Sequence, residues 1–379
     1  MARAAKKSDE SEELDPFDPR RNPHLEGHEA AERTVLEAWN SGRFPHAWLI
    51  CGPRGIGKAT FAFRLARFVM ESGGAGRGGA GLFGAEPLAA DGLAISPESR
   101  TYHLVSSGGH PDLRVLTRGM PNEDNKPTPT IINVYQTRRV VDFTYQTSAI
   151  SDWRVVIVDP ADDFNTASAN AILKALEEPP SKALFLLLSH SPGGLLPTIR
   201  SRCRKLQMAA LPDETVAMLI RRYRPEVGAE EAGGLARLAE GSVGRALDYH
   251  AAGGLALFRE MAGVLARPKD PDMERVSALA DRTAMKGKEA AYGALVDLSD
   301  WWFKRLIRGL ALGAPPSPLD ELDAAALAAF QKLGDLEAVM AMRDEALHRL
   351  GQADPPANLD RRQLIFALFG DIQRRARAL

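Results

Sequence analysis

The sequence is poor in cysteine, and this scarcity excludes two kinds of cross-linked domain. Cys51 and Cys203 are the only 2 cysteines among 379 residues. Two such distant residues cannot form a disulfide framework, and they suit a reducing compartment. They also cannot supply the tetrahedral set of ligands that a structural zinc site normally needs. We therefore expect neither a disulfide-stapled fold nor a bound zinc ion.

Long hydrophobic segments are also missing. A strongly apolar run such as residues 183–188 is far shorter than the roughly 20 residues that a membrane-spanning helix requires. Residues 1–13 pass from basic to acidic side chains and contain no apolar segment of the kind that a secretory signal has. We therefore expect a cytoplasmic protein without a membrane partner.

Neither sign of charge dominates the chain. It has 48 lysines and arginines against 49 aspartates and glutamates, which gives a net charge of −1. A protein that binds DNA by itself through phosphate neutralisation is usually distinctly basic. We therefore expect any contact with nucleic acid to be local, or to be made only within an assembly.

The order of strand and helix patterns indicates how the chain is organised. Over roughly its first half, short apolar runs alternate with segments of helical periodicity, which predicts a parallel sheet covered by helices on both faces. The predicted strands are 48–50, 113–116, 154–158 and 183–188, and the predicted helices are 25–40, 60–70, 134–145 and 165–178. Residues 121–129 are typical of a hairpin or loop. The fold class is therefore α/β in this part.

Other segments lack this alternation. Residues 1–23 are charged and rich in proline and predict a disordered arm, and residues 73–84 predict a flexible Gly-rich insertion, after which we expect order to resume near His110. Beyond residue 211 only helices are predicted. We expect an α/β domain over 24–207, a small helical domain over 208–262 and a larger all-α domain over 263–379.

The strongest local signal is a glycine-rich loop between a predicted strand and a predicted helix. Gly52, Gly55 and Gly57 precede Lys58 in this loop. Such a loop turns backbone N–H groups and a helix N-terminus toward phosphate, and the lysine adds a positive charge. The alternative interpretation, a tight turn beside a surface lysine, does not account for the position of the loop between strand and helix.

The same region lacks groups that ATP hydrolysis needs. The residue after the lysine should carry the hydroxyl that holds Mg²⁺, but it is Ala59, and Thr60 lies about 100° further round the helix. The strand 154–158 ends on Asp159, a candidate for ordering the metal shell. The following position, where an acid would activate water, is Pro160. The sequence therefore predicts a phosphate site without catalysis.

Three segments resemble the AAA+ subunits of bacterial clamp loaders. They are residues 43–48 before the Gly-rich loop, the Asn-Ala-Lys-Leu-Glu-Glu-Pro-Pro pattern within 165–180, and residues 196–203 with their Ser-Arg-Cys triplet. The resemblance is strong over 25–210 and weak over the remaining helical part. It implies a RecA-like AAA+ P-loop domain, a helical lid domain and a helical collar domain through which subunits oligomerise.

The resemblance also assigns a role to the Ser-Arg-Cys triplet. Ser201 and Cys203 are the signature residues, and Arg202 would be an arginine finger that reaches the ATP of a neighbouring subunit. Arginine suits this role because it is always charged and binds phosphate oxygens in a bidentate way. The alternative is a structural arginine that donates hydrogen bonds to nearby carbonyl groups or pairs with a carboxylate.

Two departures from the family pattern narrow the identification. The cysteine module that motor subunits and many delta-prime subunits carry is absent, whereas a shifted arginine and the groups missing from the phosphate site resemble the non-motor, delta-prime branch. In motor subunits an arginine stands two residues after a Gly-Ser pair, whereas here Gly244 follows Gly241 and Ser242 at that position and Arg245 comes one residue late. The resemblance then implies a subunit of the DNA polymerase III holoenzyme that acts in DNA replication. ATP or ADP would bind at the Gly-rich loop without hydrolysis.

The implied partners are the clamp-loader ATPase subunits (tau/gamma), the delta subunit, the sliding clamp indirectly, and primed DNA within the assembly. Two rival functions remain. One is an active AAA+ ATPase with unorthodox catalytic residues, and the other is a P-loop kinase, for which we find no acceptor pocket. The adjacent Trp301, Trp302 and Phe303 fit either a helix buried among others or a collar helix that is apolar on more than one face.

Overall fold

The computed structural model describes residues 17–73, 90–353 and 357–379. Most of the predicted arm (1–16) and almost all of the predicted Gly-rich insertion (74–84) lie outside the described residues. The chain divides after Leu211 into two compact units, which are described separately here. The finer division into lid and collar at residue 262 stays a prediction.

The first unit is an α/β domain. Five strands alternate with helices along the chain, and the periodicity predicts four of them. The strands are β1 Ala47–Cys51, β2 Leu113–Thr117, β3 Arg154–Asp159, β4 Ala183–Ser189 and β5 Arg204–Gln207, and the helices are α1 Glu29–Asn40, α2 Lys58–Ser72, α3 Arg100–Ser106, α4 Val134–Thr144, α5 Thr166–Glu177 and α6 Pro197–Arg202.

The strands form one parallel sheet in the order β2-β3-β4-β1-β5. Both faces of the sheet are buried, because the strand residues alternate between two apolar clusters. In β1, Trp48 and Ile50 belong to one cluster, while Ala47, Leu49 and Cys51 belong to the other. A parallel sheet with helices on both faces has this pattern, so the predicted α/β fold class is confirmed. The order also leaves one strand, β4, between the carboxyl ends of β1 and β3.

Two elements of the first unit were missed by the sequence patterns. Described structure resumes at residue 90, before the expected His110, and α3 begins where the Ser99 side chain accepts a hydrogen bond from the Tyr102 N–H at 3.1 Å. β5 was missed because Arg204 and Lys205 are exposed on it. An edge strand of this kind lacks the apolar run that marks a buried strand. In the predicted hairpin or loop, Pro121 and Pro127 form an antiparallel bridge.

The second unit is helical throughout its described residues, as the sequence predicts. Its helices are α7 Asp213–Tyr223, α8 Ala229–Ala239, α9 Val243–Ala252, α10 Gly254–Leu265, α11 Met273–Ala284, α12 Glu289–Leu312, α13 Glu321–Gln331, α14 Leu336–Gly351 and α15 Arg361–Ala378. Trp301, Trp302 and Phe303 are all buried on α12. The interpretation of α12 as a helix packed among others is therefore confirmed.

Membrane-spanning segments can be assessed from helix length and hydropathy. Within the described ranges, none of the helices combines the length and the apolar character needed to cross a bilayer.

Candidate functional site

The Gly-rich loop leaves β1 at the carboxyl edge of the sheet and leads directly into α2. Gly52 lies so close to the strand beside it that a Cβ would stand 2.5 Å from the Met208 carbonyl oxygen. Gly55 and Gly57 have φ angles of 75° and 104°, which side chains other than glycine rarely adopt. The spacing of these glycines is therefore required by the shape of the loop, as expected for a phosphate-binding turn.

Lys58 is the first residue of α2 and is almost fully buried. Its Nζ donates hydrogen bonds to the carbonyl oxygens of Gly52 at 2.7 Å and of Pro53 at 2.5 Å. Burial lowers the pKa of this ammonium group to about 8, against the opposing effects of Asp159 and Asp162. The loop thus holds a cation at its centre, where it can meet an anionic group.

The N-terminus of α2 fits phosphate better than it fits a metal ion. Gly57 occupies the cap position without a side chain, and the first-turn N–H groups have no intrahelical partners by the geometry of a helix. Ala59 packs against the apolar core and offers no oxygen. Thr60 is half-buried on the next position of the helix. The donors present are thus those that bind a nucleotide's phosphates.

Asp159 ends β3 at the same edge of the sheet. Burial raises the pKa of its carboxyl group, and Lys58 partly offsets that rise. The two groups therefore act on each other across β4. Pro160 follows Asp159 and brings no acid to this edge, so the structure supplies one carboxylate here where a hydrolytic site needs a second.

The nearby Asp162 does not stand at the position of the missing acid, and its carboxylate holds the loop after β4. It accepts hydrogen bonds from the Ser189 hydroxyl at 3.0 Å and from the N–H groups of His190 at 2.8 Å and Ser191 at 2.9 Å. It therefore fixes the loop after β4. Asp163, one residue further, lies 3.8 Å from the guanidinium of Arg118.

His28, which sequence reasoning did not single out, contacts the loop from the side of α1. Its Nε2 lies 2.7 Å from the carbonyl oxygen of Ile56. The ring is buried, and burial lowers the pKa of His28, so a neutral ring that donates to this carbonyl fits the contact. The preceding segment is held by Arg67, which donates to the carbonyls of Arg20 and Asn22. No spacing motif marks His28, and only the fold brings it to the loop.

Arg202 lies at the opposite edge of the sheet. It ends α6, and β5 then begins beside the amino end of β1, where Arg204 pairs with Trp48. The Gly-rich loop leaves the carboxyl end of the same strand. The two predicted sites are thus separated by the length of β1, about 16 Å at 3.3 Å per residue. The structure does not bring Arg202 to its own phosphate loop.

The side chains of the Ser-Arg-Cys triplet differ in exposure. Arg202 donates to the Thr198 carbonyl at 3.0 Å, and its Nη2 forms an ion pair with a Glu177 carboxylate oxygen 2.8 Å away. Ser201 is exposed and donates to the same Thr198 carbonyl. Cys203 is buried in the core, and burial raises the pKa of its thiol to about 12. Cys203 therefore anchors the triplet, and Arg202 and Ser201 lie at the surface.

The comparisons with known proteins agree with this geometry. A family model described as DNA polymerase III, delta subunit, matches residues 86–212. A DNA polymerase III subunit delta' from Pseudomonas aeruginosa is 36% identical over 209 residues, which is 55% of this chain and 56% of that protein. Residues 86–212 thus match this family, and about half of the chain is similar to a delta' subunit of DNA polymerase III.

Further relatives are also subunits of DNA polymerase III. The delta' subunit of Escherichia coli is 30% identical over 56% of this chain and 57% of its own length. A gamma/tau subunit from Mycobacterium tuberculosis is 31% identical over 53% of this chain and 31% of its own length. The chain thus spans about half the length of the first curated delta' relatives that it matches.

Among solved structures, a DNA polymerase III gamma subunit-related protein from Thermotoga maritima aligns with a TM-score of 0.43 at 16% identity. This alignment covers 90% of the present chain and 99% of that one.

The Gly-Ser pair of the second unit serves as a helix cap. The Ser242 hydroxyl accepts a hydrogen bond from the Arg245 N–H at 3.1 Å at the start of α9. The guanidinium of Arg245 lies 3.6 Å from Glu240. Gly244 lies in the first turn of the helix. It stands at the position where motor subunits of the resembled family carry an arginine.

A metal site can be sought from clusters of ligand side chains. Over residues 17–73, 90–353 and 357–379, no three His, Cys, Asp or Glu side chains are grouped so that they could hold a metal ion. The sequence expectation of a protein without zinc stays a prediction.

Proposed function

We propose that this chain is a non-motor clamp-loader subunit of the delta-prime kind, which supplies Arg202 to the ATP site of a neighbouring subunit and hydrolyses no ATP itself. It would work in DNA replication with the tau/gamma ATPase subunits and the delta subunit. The assembly would open the sliding clamp and place it on primed DNA. A cytoplasmic location follows from this proposal.

One observation carries the proposal: a well-formed phosphate loop lies beside a catalytic edge that lacks its metal hydroxyl and its water-activating acid. Gly55, Gly57 and Lys58 have the arrangement that phosphate binding needs. Ala59 and Pro160 stand at the positions where hydrolysis needs polar groups. The neighbouring Asp162 is engaged by the loop after β4. Such a site can retain a nucleotide and cannot assemble the groups for its hydrolysis.

ATP or ADP would bind through the residues already described. The first-turn N–H groups of α2 and the ammonium of Lys58 would hold its phosphates. When bound, the nucleotide would supply negative charge to the centre of the loop. Lys58 would then exchange carbonyl partners for phosphate oxygens, which requires little movement because the ammonium already lies among the loop groups.

Arg202 supports a role in trans. It lies at the far edge of the sheet from its own loop and is partly exposed at the end of α6. A fixed guanidinium next to a transferring phosphoryl group contributes roughly 10³–10⁵ in rate. An arginine so placed can serve a neighbour's nucleotide and not its own.

The test uses a loader reconstituted from all its subunits, in which ATP turnover is stimulated by clamp and primed DNA. We expect Arg202→Ala to assemble normally and to lower the stimulated turnover partially, since other interfaces keep their own arginines. Arg202→Lys should also be impaired, because an ammonium lacks the planar fork. Arg200→Ala, an exposed arginine of the same helix, is the matched control.

The same assay on the isolated chain tests the absence of intrinsic catalysis. We expect no turnover above background. Turnover near 1 s⁻¹, at the low end of ordinary enzymes, that disappears in Lys58→Ala would favour the active AAA+ ATPase instead. Wild-type loading of clamps by the Arg202→Ala ring would show that this arginine is structural.

A further inference from the structure

Three separate sequence segments meet at the amino edge of the sheet, around the end of α5. His46, from the segment before β1, places its Nε2 3.1 Å from the Leu176 carbonyl oxygen. The next residue, Glu177, ends α5 and forms an ion pair with Arg202. Each of these residues lies in one of the segments that resemble clamp-loader subunits. The fold thus joins them into a single cluster, which we call the amino-edge cluster: His46, Leu176, Glu177 and Arg202.

The guanidinium of Arg202 is held from two sides within this cluster. On its own helix, Nη1 donates to the Thr198 carbonyl at 3.0 Å and lies 3.4 Å from the Ser201 hydroxyl. From α5, Glu177 Oε1 lies 2.8 Å from Nη2. Among the described residues, these contacts involve Nη1 and Nη2 of the guanidinium and not Nε. The arrangement fixes the orientation of the charge without consuming all its donors.

The acceptor itself is held in place. Ala175 and Leu176 are buried in the apolar core, so the last turn of α5 is anchored. His46 satisfies the Leu176 carbonyl, and the Tyr145 hydroxyl donates to the Glu178 carbonyl at 3.4 Å. A carboxylate on such an anchored turn can define a fixed position for an arginine of the neighbouring helix α6.

The ion pair between Glu177 and Arg202 contributes little to the stability of the fold. Its effect is therefore expected on the orientation of the Arg202 side chain. The Glu177 side chain is 47% exposed and that of Arg202 33% exposed. Ion pairs at such positions are typically weak because solvent screens them. Removing the carboxylate should therefore leave the fold intact while freeing the arginine to sample other rotamers.

We propose that Glu177 is a positioning residue that aims Arg202 at the nucleotide of the neighbouring subunit. The inference rests on the proposed function, because it assigns Glu177 a part in the same interfacial site. Its effect would pass entirely through Arg202. A guanidinium that is already oriented loses less conformational freedom when it contacts the charge that develops on the phosphate in the transition state. The positioning should therefore raise the rate of the chemical step.

The test compares Glu177→Ala and Glu177→Gln with Glu178→Ala in the reconstituted loader, with inorganic phosphate release as the readout. Glu178 is the adjacent exposed glutamate, so its removal changes the charge equally. We expect Glu177→Ala to lower stimulated kcat about three- to tenfold, within the range of coupling between contacting residues. The KM for ATP should stay unchanged. Glu177→Gln keeps an acceptor oxygen and should lose less, and Glu178→Ala should match the wild type.

A double-mutant cycle separates the possible outcomes. In an Arg202→Ala background, Glu177→Ala should cause no further loss, because its effect passes through the arginine. If Arg202→Ala lowers turnover while both Glu177 variants match Glu178→Ala, the positioning role is wrong and the proposed function stands. If Glu177→Ala raises turnover, the carboxylate restrains the arginine instead of aiming it, and the inference is overturned. If Arg202→Ala itself has no effect, the proposed function fails.

Ring assembly is measured for each variant by size-exclusion chromatography before turnover. Should Glu177→Ala fail to assemble, Glu177→Gln carries the decision, since it preserves side-chain size and one acceptor. A loss in Glu177→Gln that disappears in the Arg202→Ala background supports positioning. An equal loss in both backgrounds contradicts it.

Discussion

Lys58 shows how a single buried cation combines phosphate chemistry with an energetic cost. Its ammonium lies among backbone carbonyls at the centre of the loop, where burial favours the neutral amine and lowers its pKa to about 8. An anionic phosphate would reverse that preference, because an opposite charge nearby favours the charged form. Lys58, which makes the loop suitable for phosphate, therefore lowers the free energy of unfolding while no anion is bound.

The lowered pKa of Lys58 predicts a pH dependence of stability. Between about 8 and the usual value of 10.5, the unfolded chain binds more protons than the folded chain, so the free energy of unfolding rises as the pH rises. Lys58→Met lacks this group. The stability of the wild type relative to Lys58→Met should therefore increase by up to about 3 kcal/mol between pH 7 and pH 10, at about 1.4 kcal/mol per pKa unit.

Urea denaturation of both proteins at several pH values measures this difference. Lys205→Met removes an exposed lysine of β5 and controls for general effects of alkaline solution. A constant difference between wild type and Lys58→Met across the range would contradict the lowered pKa.

At the scale of helices and strands, the sequence patterns succeeded where burial is two-sided or periodic. The predicted strands 154–158 and 183–188 match β3 and β4, because residues covered on both faces form continuous apolar runs. β5 and α3 were missed, since the first is a charged edge strand and the second is short. The hydrophobic periodicity of a sequence reflects which residues are buried. β5 and α3 have too few buried residues to produce a recognisable pattern.

The candidate site divides in the same way. Local motifs drew attention to the loop around Lys58 and to Arg202 in the sequence, and the roles of both stay predictions. The contacts of His28 with Ile56 and of Glu177 with Arg202 join residues that are far apart along the chain. No spacing rule reports such contacts, because they depend on how the strands are ordered in the sheet.

The start of α13 illustrates a polar group that holds helices together. Asp323 is fully buried in the first turn of this helix. Its carboxylate accepts hydrogen bonds from the Trp302 indole at 2.9 Å and the Leu319 N–H at 2.8 Å, and pairs with Arg305 at 2.5 Å. Since Trp302 and Arg305 both lie on α12, this one side chain joins two helices of the second unit.

Asp323→Ala should therefore destabilise the protein strongly. It leaves the guanidinium of Arg305 and the Trp302 indole N–H without their buried acceptor, and losing one partner of a buried ion pair costs about 3–5 kcal/mol. Asp323→Asn keeps part of the hydrogen bonding and should cost less. Chemical denaturation measures both.

Asp344→Ala, which removes an exposed aspartate paired with Arg343, should change stability by no more than about 0.5 kcal/mol. Equal effects of Asp323→Ala and Asp344→Ala would show that the buried carboxylate contributes nothing.

For the whole molecule, the balance of charge decides what the chain can do without partners. With a net charge of −1, its summed field neither attracts nor repels a phosphate backbone strongly. A subunit of an assembly needs no affinity for DNA of its own, because neighbouring subunits can supply most of the phosphate contacts. A net charge near zero therefore agrees with the proposed function, in which the chain would meet DNA only within an assembly.

The isolated chain should consequently bind primed DNA weakly. Non-specific binding at physiological salt typically has a Kd of about 10⁻⁴–10⁻⁶ M, and the affinity falls with salt in proportion to the number of phosphates neutralised. We expect the isolated chain to lie at or beyond the weak end of that range, with a shallow salt dependence.

Fluorescence anisotropy of labelled primed DNA measures both quantities between 50 and 200 mM salt. The reconstituted loader with ATP and clamp, measured in parallel, should bind far more tightly and with a steeper slope. Sub-micromolar binding by the isolated chain with a steep slope would mean that basic side chains are concentrated on one face, so that net charge misrepresents the surface that DNA meets.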